Sequence, residues 1–192
     1  MIITILSCYT NGGISMANKK YILTKETAEK KLRRMALEVA ERNYGEQQLV
    51  LVGIKDSGLI IAHKINHYLK EVFKGEVIVT ALIMDKKNPS TIVIEPVIDF
   101  NDKIILLIDD VANTGKAMLY ALKPFLETHP KKIQTLALVE RTHKSFPIDV
   151  DYVGLSFSTT LDEHIYVEVE GTEVLGAWMA EQALAQQIIP RE

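Results

Sequence analysis

The sequence of 192 residues has one cysteine, one tryptophan and no apolar segment long enough to cross a membrane. Because a single cysteine, Cys8, cannot form an internal disulfide, the sequence suits a reducing compartment. A membrane-spanning helix needs about 20 consecutive apolar residues, and the short apolar run at the N-terminus lacks the basic residues that open a signal peptide. We therefore expect a cytoplasmic protein that has no membrane partner.

An excess of positive charge is also absent. The chain has 22 Lys and Arg residues against 25 Asp and Glu residues, which gives a formal net charge of −3 at pH 7. Proteins that bind nucleic acid carry a basic surface, so the net charge does not favour nucleic acid as a partner, although it is compatible with a local basic patch. The hydrophobic content of 47% and the charged content of 24% are typical of one globular domain.

The pattern of apolar residues predicts an α/β fold. Short apolar runs predict buried strands at 49–54, 77–84, 104–108 and 133–139. Apolar residues at helical spacing predict helices over about 25–43, over 61–72 and from Leu119 onwards. Thr24 should cap the first helix, and Pro124 should shorten the last. Strands that alternate with helices favour a parallel sheet with right-handed connections and helices on its faces.

The segment Lys103–Met118 (KIILLIDDVANTGKAM) combines an apolar strand, two adjacent carboxylates and the start of a helix. Asp109 and Asp110 follow the predicted strand, and ligands of open α/β sheets bind outside the carboxyl ends of the strands. The helix start offers backbone N–H groups and a positive dipole end to a phosphate. Ribose 5-phosphate carries a diol and a phosphate, so it fits both parts. The alternative is an ordinary strand–turn–helix unit with solvated aspartates and Thr114 as a helix cap.

A second turn has the composition of an anion-binding site. Lys55, Asp56, Ser57 and Gly58 join the predicted strand at 49–54 to the next helix. The backbone N–H groups of such a turn can bind an anion, and Lys55 adds positive charge. Taken alone, this turn is equally compatible with an ordinary connection between a strand and a helix.

The segment 103–118 resembles the signature of the type I phosphoribosyltransferases, which use phosphoribosyl pyrophosphate (PRPP). The resemblance implies that Asp109 and Asp110 hold the ribose 2′- and 3′-hydroxyls, and that the turn at 55–58 is the pyrophosphate loop. It implies that Mg²⁺ accompanies PRPP and contacts mainly its oxygens, with the two aspartates as the protein groups for any direct contact. The 5′-phosphate would lie against the phosphate loop, which consists of Ala112, Asn113, Thr114, Gly115, Lys116 and Ala117.

The region beyond the last predicted core strand is similar to the pyrimidine operon attenuator proteins, which are also uracil phosphoribosyltransferases. The similarity lies in 138–148 (LVERTHKSFPI), 151–154 and 167–171. It implies a hood that folds over the site and recognises the base, through residues that include Tyr152, Val153, Gly154 and Phe157. Tyr152 and Phe157 would either stack on the base or pack the hood.

On this basis we expect helices that flank a parallel sheet, with a small C-terminal hood. Residues 1–20 should form an N-terminal extension, 21–140 the phosphoribosyltransferase core, 141–177 the hood and closing segment, and 178–192 a C-terminal helix. The helical pattern itself starts slightly earlier, at about Gly176. We also expect a homo-oligomer, such as a dimer.

The sequence departs from the attenuator pattern at several positions. Ser57 stands where an arginine is usual in the pyrophosphate loop, Ala117 replaces a threonine of the phosphate loop, and Leu155 replaces a lysine. Because these changes remove substrate contacts, they predict a modest rate. Asn113 stands where purine enzymes of this type usually have an aspartate near the base. Since an amide cannot accept a proton as a carboxylate does, uracil is the favoured base and a purine is the alternative.

The competing hypothesis is a nucleotide-sensing, RNA-binding regulator of pyrimidine genes with little catalysis. A basic patch for RNA could draw on Lys30, Lys31, Arg33, Arg34, Arg141, His143 and Lys144. The N-terminal helix that carries four of these residues also carries Glu26, Glu29, Glu38 and Glu41. A solvated surface of mixed charge is therefore the favoured interpretation, and RNA is not the favoured partner.

Overall fold

The computed structural model describes residues 20–85, 89, 91–160 and 163–181. Within these ranges, no helix has both the length and the apolar composition that crossing a membrane requires. The described residues form, in chain order, β1 (Lys20–Thr24), α1 (Lys25–Arg42), β2 (Gln48–Ile54), α2 (Ser57–Val72), β3 (Glu76–Met84), β4 (Ile92–Glu95), β5 (Ile104–Ala112), α3 (Lys116–Ala121), α4 (Lys123–Leu126), β6 (Lys132–Arg141), β7 (Tyr152–Phe157), β8 (Glu163–Glu170) and β9 (Glu173–Glu181).

The main sheet has six strands in the order β4-β3-β2-β5-β6-β7. All neighbouring pairs in it are parallel except β3 and β4, which run antiparallel. Residues of the central strands alternate between two hydrophobic cores, as the two-residue period of a strand requires. One core holds α1 and α2, and the other holds α3 and α4. The prediction of a mostly parallel sheet flanked by helices is confirmed.

The first helix begins and ends almost where the sequence predicts. Thr24 is its N-cap, and the Thr24 hydroxyl oxygen accepts a hydrogen bond from the backbone N–H of Thr27 at 3.3 Å. Leu32, Met35 and Val39 recur at helical spacing and are fully buried. Burial of each such side chain contributes roughly 1.5–3 kcal/mol, so the amphipathic pattern fixes which face of α1 meets the sheet.

The expected effect of Pro124 is also confirmed. The helix that follows the phosphate loop breaks at Leu122, where α3 has ended and α4 begins, with Pro124 in the first turn of α4. Because proline has no backbone N–H, it is favoured in the first turn of a helix over the helix interior.

A second sheet of three antiparallel strands, in the order β1-β9-β8, packs beside α1 and α2. Ile165, Val174 and Ala177 from this sheet belong to the core that contains the two helices. The N-terminal strand therefore closes against the C-terminal part of the described chain, and Tyr21 pairs with Trp178.

The predicted helix from about Gly176 is wrong for residues 176–181, because they form β9. Gly176 has φ +145°, and a Cβ at this position would overlap the backbone carbonyl oxygen of Leu23 in β1. A glycine inside an apolar pattern often marks such a close approach of two backbones in a sheet. The rest of the expected helix and residues 1–19 lie outside the described residues.

The hood also begins later than the sequence suggests. Residues 152–157 were expected in the hood, but they form β7, the edge strand of the main sheet, which runs parallel to β6. Gly154 permits this pairing, since a Cβ there would overlap the carbonyl oxygen of Leu138. In the described chain, the small separate layer is made by β1, β8 and β9.

Candidate active site

Strand β5 carries the two aspartates at its carboxyl end. The strand is four residues longer than the predicted run and extends to Ala112, so Asp109 and Asp110 lie within it. Asp109 is 1% exposed and Asp110 is half-buried. The carboxylate Oδ1 of Asp109 accepts a hydrogen bond from the backbone N–H of Asp110 at 3.0 Å. This contact orients the buried carboxylate before any ligand arrives.

The phosphate loop follows directly and turns the chain into α3. Gly115 is the residue before this helix, with φ +80°, and no side chain caps the helix there. The hydroxyl oxygen of Thr114 accepts from the backbone N–H of Lys116 at 3.3 Å. A pocket of about 180 Å³ is lined by residues of β5, the loop and α3, namely Asp109, Val111, Ala112, Asn113, Thr114, Gly115, Lys116, Ala117 and Met118. Asp109 and the phosphate loop thus line the same cavity.

The segment after β6 holds the phosphate loop in place. The backbone carbonyl of Thr114 accepts hydrogen bonds from the N–H groups of Ser145 and Phe146, both at 3.0 Å. A Cβ at Gly115 would overlap Cγ2 of Ile148, which comes from the same segment. The segment 145–148 therefore restricts the conformation of the phosphate loop, and the close packing against Ile148 requires glycine at position 115.

The pyrophosphate loop lies beside the acidic pair because β2 and β5 are neighbours in the sheet. Gly58 packs so closely that a Cβ there would be 2.7 Å from the carbonyl oxygen of Ile108 and 3.3 Å from Cα of Asp109. Lys55 and Asp56 are exposed and are joined by a cis peptide bond. The Asp56 side chain does not cap α2, so it does not compete with an anion for the backbone N–H groups of the first turn.

A divalent cation fits this site as a companion of the substrate. Among the described residues, no group of three or more His, Cys, Asp or Glu side chains is placed to hold a metal ion. Two adjacent carboxylates can complete the shell of a Mg²⁺ ion whose other ligands are phosphate oxygens and water. The donor set therefore suits Mg²⁺ that arrives with a polyphosphate.

Tyr152 does not face the pocket. Its side chain is fully buried, its hydroxyl accepts from Nε2 of Gln134 at 2.6 Å, and the Arg42 guanidinium lies 4.9 Å from its ring centre. Burial raises the pKa of Tyr152. Stacking of Tyr152 on a base is excluded by this burial, and the alternative that it packs the protein interior holds.

The other three hood residues also belong to β7. The carbonyl of Val153 accepts a hydrogen bond from Arg34 at 2.6 Å, and Gly154 lies against β6. Phe157 ends β7, is half-buried and pairs with Arg141 at the edge of the sheet where the acidic pair lies. Of the four, Phe157 is the one placed near the candidate site.

Arg141 is the residue at this edge whose role the sequence pattern did not indicate. The competing RNA hypothesis named it as a candidate for a basic patch, but it is only 8% exposed. Its Nη1 donates to Oδ1 of Asn113 at 2.7 Å, and its Nη2 donates to the carbonyl of Thr160 at 2.8 Å. Its position near the carboxyl end of a predicted buried strand, like that of Asp109 and Asp110, was the available signal.

Comparison with known proteins identifies the same family on independent grounds. Residues 19–173 match the model of the phosphoribosyl transferase domain. The chain is 35% identical to "Bifunctional protein PyrR" of Ligilactobacillus salivarius, over 79% of this chain and 92% of that protein. It is 33% identical to the protein of the same name from Clostridium acetobutylicum, over 81% of this chain and 93% of the relative.

Solved structures of lower sequence identity share the fold. A hypoxanthine-guanine phosphoribosyltransferase from Bacillus anthracis superposes with a TM-score of 0.63 at 16% identity, covering 77% of this chain and 85% of the other. The hypoxanthine phosphoribosyltransferase of Trypanosoma cruzi gives a TM-score of 0.64 at 15% identity, with coverage of 72% and 82%. The expected resemblance and the expected fold are thereby confirmed.

Proposed function

The chain belongs to the phosphoribosyl transferase family, and we propose that it transfers the ribose 5-phosphate of PRPP to uracil and releases pyrophosphate. One observation carries the proposal: the acidic pair and two anion-binding turns meet at the carboxyl ends of β2 and β5, with Gly58 packed against the backbone of Asp109. PRPP has a diol between two phosphate groups, so its three polar parts match these three elements.

Each element has a distinct task in the transfer. The bond from C1′ to the pyrophosphate oxygen breaks and its electron pair leaves with pyrophosphate. A bond from C1′ to N1 of uracil forms, and the N1 proton passes to water. Asp109 and Asp110 accept hydrogen bonds from the ribose hydroxyls and stabilise the positive charge that develops on the ring. The backbone N–H groups of the phosphate loop hold the 5′-phosphate. Lys55 and the first turn of α2 bind the departing pyrophosphate, whose charge Mg²⁺ would help to neutralise.

Uracil is the proposed base for two reasons. The ring N–H of uracil is comparatively acidic, so its reaction needs less help from an enzymic base than a purine does. Asn113 lines the pocket and offers no carboxylate. The resemblance of 138–148 and 167–171 to the attenuator proteins, together with the curated relatives named PyrR, supports the same choice.

A panel of nucleobases tests the proposal. With PRPP and Mg²⁺, uracil should be converted to its nucleotide faster than hypoxanthine, guanine or adenine. The rate should be modest, because Ser57 and Ala117 remove contacts to phosphate groups that an arginine and a threonine would make. Nucleotide product is measured for each base. Preference for a purine would contradict the choice of uracil, and absence of product with every base would contradict the transfer itself.

A second candidate function is regulation through RNA, which the resemblance of 138–148 and 167–171 to the pyrimidine operon attenuator proteins implies. Several residues of the expected basic patch are engaged elsewhere in the described chain. Lys30 pairs with Glu26 at 2.6 Å, and Arg34 pairs with Glu38. Lys144 pairs with Glu140, and Arg141 is buried. These pairings leave little concentrated positive charge for a phosphate backbone.

RNA binding should therefore be weak and non-specific at physiological salt. Gel-shift or fluorescence titration with pyrimidine-gene leader RNA and a scrambled control RNA measures it. The double variant R33A/R34A removes exposed arginines of α1 without touching Arg141, whose loss would disturb the pocket. A sequence-specific complex of nanomolar affinity that this variant abolishes would contradict the expectation and favour the regulator.

Two further properties are part of the proposal. We expect the protein to act in the cytoplasm, as the near absence of cysteine suggests. We also expect it to form a homo-oligomer, such as a dimer.

A further inference from the structure

Arg141 connects two parts of the candidate site that are distant in the sequence. Its guanidinium donates to Oδ1 of Asn113 in the phosphate loop at 2.7 Å. It also donates to the carbonyl of Thr160, in the connection that follows β7, at 2.8 Å. Only 8% of Arg141 is exposed, and both contacts are partly buried. Buried hydrogen bonds from a charged donor are among the stronger ones in proteins.

The contact determines which end of the Asn113 amide faces the pocket. A guanidinium has five donors and no acceptor, so the amide group that meets Arg141 must be the oxygen. The amide nitrogen then points away from Arg141. Asn113 lines the same pocket as Asp109, Gly115 and Lys116. With Oδ1 engaged by Arg141, the group that the amide retains for a ligand is Nδ2, which is a donor.

We infer that Arg141 is a positioning residue which fixes Asn113 as a hydrogen-bond donor to the base, so that the site selects a 4-oxo pyrimidine over a 4-amino pyrimidine. The inference rests on the proposed function, which brings a base into this pocket. The proposed acceptor for Nδ2 of Asn113 is the oxygen at C4 of uracil, because the oxygen at C2 lies beside the nitrogen that joins the ribose. Cytosine carries an amino group at C4, and two donors cannot pair.

The same polarity disfavours purines. A purine that reacts through N9 carries its proton on N7, and that N–H needs an acceptor. Oδ1 is the acceptor of the Asn113 amide, and it is turned toward the positively charged Arg141 guanidinium rather than toward the base. A buried N–H left without a partner costs more than a formed hydrogen bond contributes. The Arg141–Asn113 pair thus rejects both amino-substituted and N7-protonated bases by one mechanism.

Binding of product nucleotides tests the inference without requiring turnover. Calorimetry with UMP and CMP, in the presence of Mg²⁺ and pyrophosphate, gives the ratio of their dissociation constants. Wild-type protein should bind UMP about tenfold more tightly than CMP, since one good hydrogen bond is exchanged for an unmatched donor. The 5′-phosphate and ribose are identical in both ligands, so the ratio reports on the base alone.

Variants at the two positions should move this ratio in different ways. In N113D, one carboxylate oxygen keeps the contact to Arg141 and the other presents an acceptor, so CMP should be favoured over UMP. In R141M, the amide is no longer held, and the ratio should fall to within about twofold of unity. R141K retains a donor and should restore part of the preference. R34M serves as the matched control, because Arg34 also donates to a backbone carbonyl, that of Val153, which does not line the pocket.

The outcomes separate this inference from the proposed function. An unchanged UMP to CMP ratio in N113D overturns the inference, and so does failure of wild-type protein to bind either nucleotide. If R141M does not fold, N113D still decides, because it preserves the pair with Arg141. If the wild-type protein transfers ribose 5-phosphate to uracil but the UMP to CMP ratio is unchanged in N113D, the proposed function is supported and the inference is overturned. A ratio that inverts in N113D, in a protein without turnover, would support the inference while the proposed function fails.

Discussion

Replacing Asp109 or Asp110 with asparagine should lower PRPP-dependent transfer about 10–100-fold while the protein stays folded. Asparagine keeps the shape of the side chain and removes its charge. Each hydrogen bond from a ribose hydroxyl to a carboxylate is charge-assisted and worth roughly 1.5–3 kcal/mol. The stabilisation of positive charge on the ribose ring is lost at the same time, so the effect should fall on kcat as well as on KM for PRPP.

Stability should change little in either variant. Asp109 is almost fully buried, and the backbone N–H of Asp110 can bond to an amide oxygen as it does to the carboxylate. We expect a change of less than about 1 kcal/mol in the free energy of unfolding. Steady-state kinetics with varied PRPP and thermal denaturation measure the two effects separately.

The chain offers a matched control for this pair. The carboxylate of Asp151 also accepts a backbone hydrogen bond, from the N–H of Thr135 at 2.8 Å, but it does not line the pocket. D151N should therefore lose some stability and keep its turnover. Wild-type turnover in both D109N and D110N would rule out the assignment of the ribose site.

Local features of the sequence were sufficient to predict the elements that build the site. The apolar run before Asp109 could be a buried strand because it is too short for a helix and apolar on both faces. Thr24 and the spacing of Leu32, Met35 and Val39 were sufficient for α1. In both cases the residues of one segment are enough for the prediction. The spacing of apolar residues within that segment shows which of its side chains will be buried.

Features that depend on pairing between distant segments were harder to predict. The C-terminal apolar segment has residues compatible with a helix, and it becomes β9 because β1 and β8 pair with it on either side. β7 joins the main sheet by pairing with β6. The spacing of apolar residues within 152–157 does not show which strand this segment pairs with. Register and strand order depend on packing across the whole domain, so a pattern within one segment does not specify them.

The same distinction applies to the site. The acidic pair and both turns could be located from their own residue types, and the parallel sheet then brings the carboxyl ends of β2 and β5 together. Arg141 could be named only as a candidate for a basic patch, because counting charges along the chain ignores burial. Its partners, Asn113 and Thr160, lie 28 and 19 residues away and become neighbours only in the folded protein.

Changing Gly115 to alanine should abolish most of the affinity for PRPP. Position 115 has φ +80°, where a Cβ is unfavourable by roughly 1–2 kcal/mol, and the new methyl group would also overlap Cγ2 of Ile148. The loop must shift to relieve this overlap, and its N–H groups then no longer converge on the 5′-phosphate. A misplacement of about 1 Å in a positioning element can reduce rate about 100-fold, and we expect kcat/KM for PRPP to fall by about this factor.

Gly45 provides the control that separates strain from crowding. It has φ +82°, nearly the same backbone conformation, but nothing lies within 4 Å of a Cβ built on it. G45A should therefore destabilise the protein by a similar backbone penalty while transfer is unaffected. The double variant G115A/I148A removes the overlapping methyl group and should recover part of the lost PRPP affinity. If G115A binds PRPP as tightly as wild-type protein, the 5′-phosphate is not held by this loop.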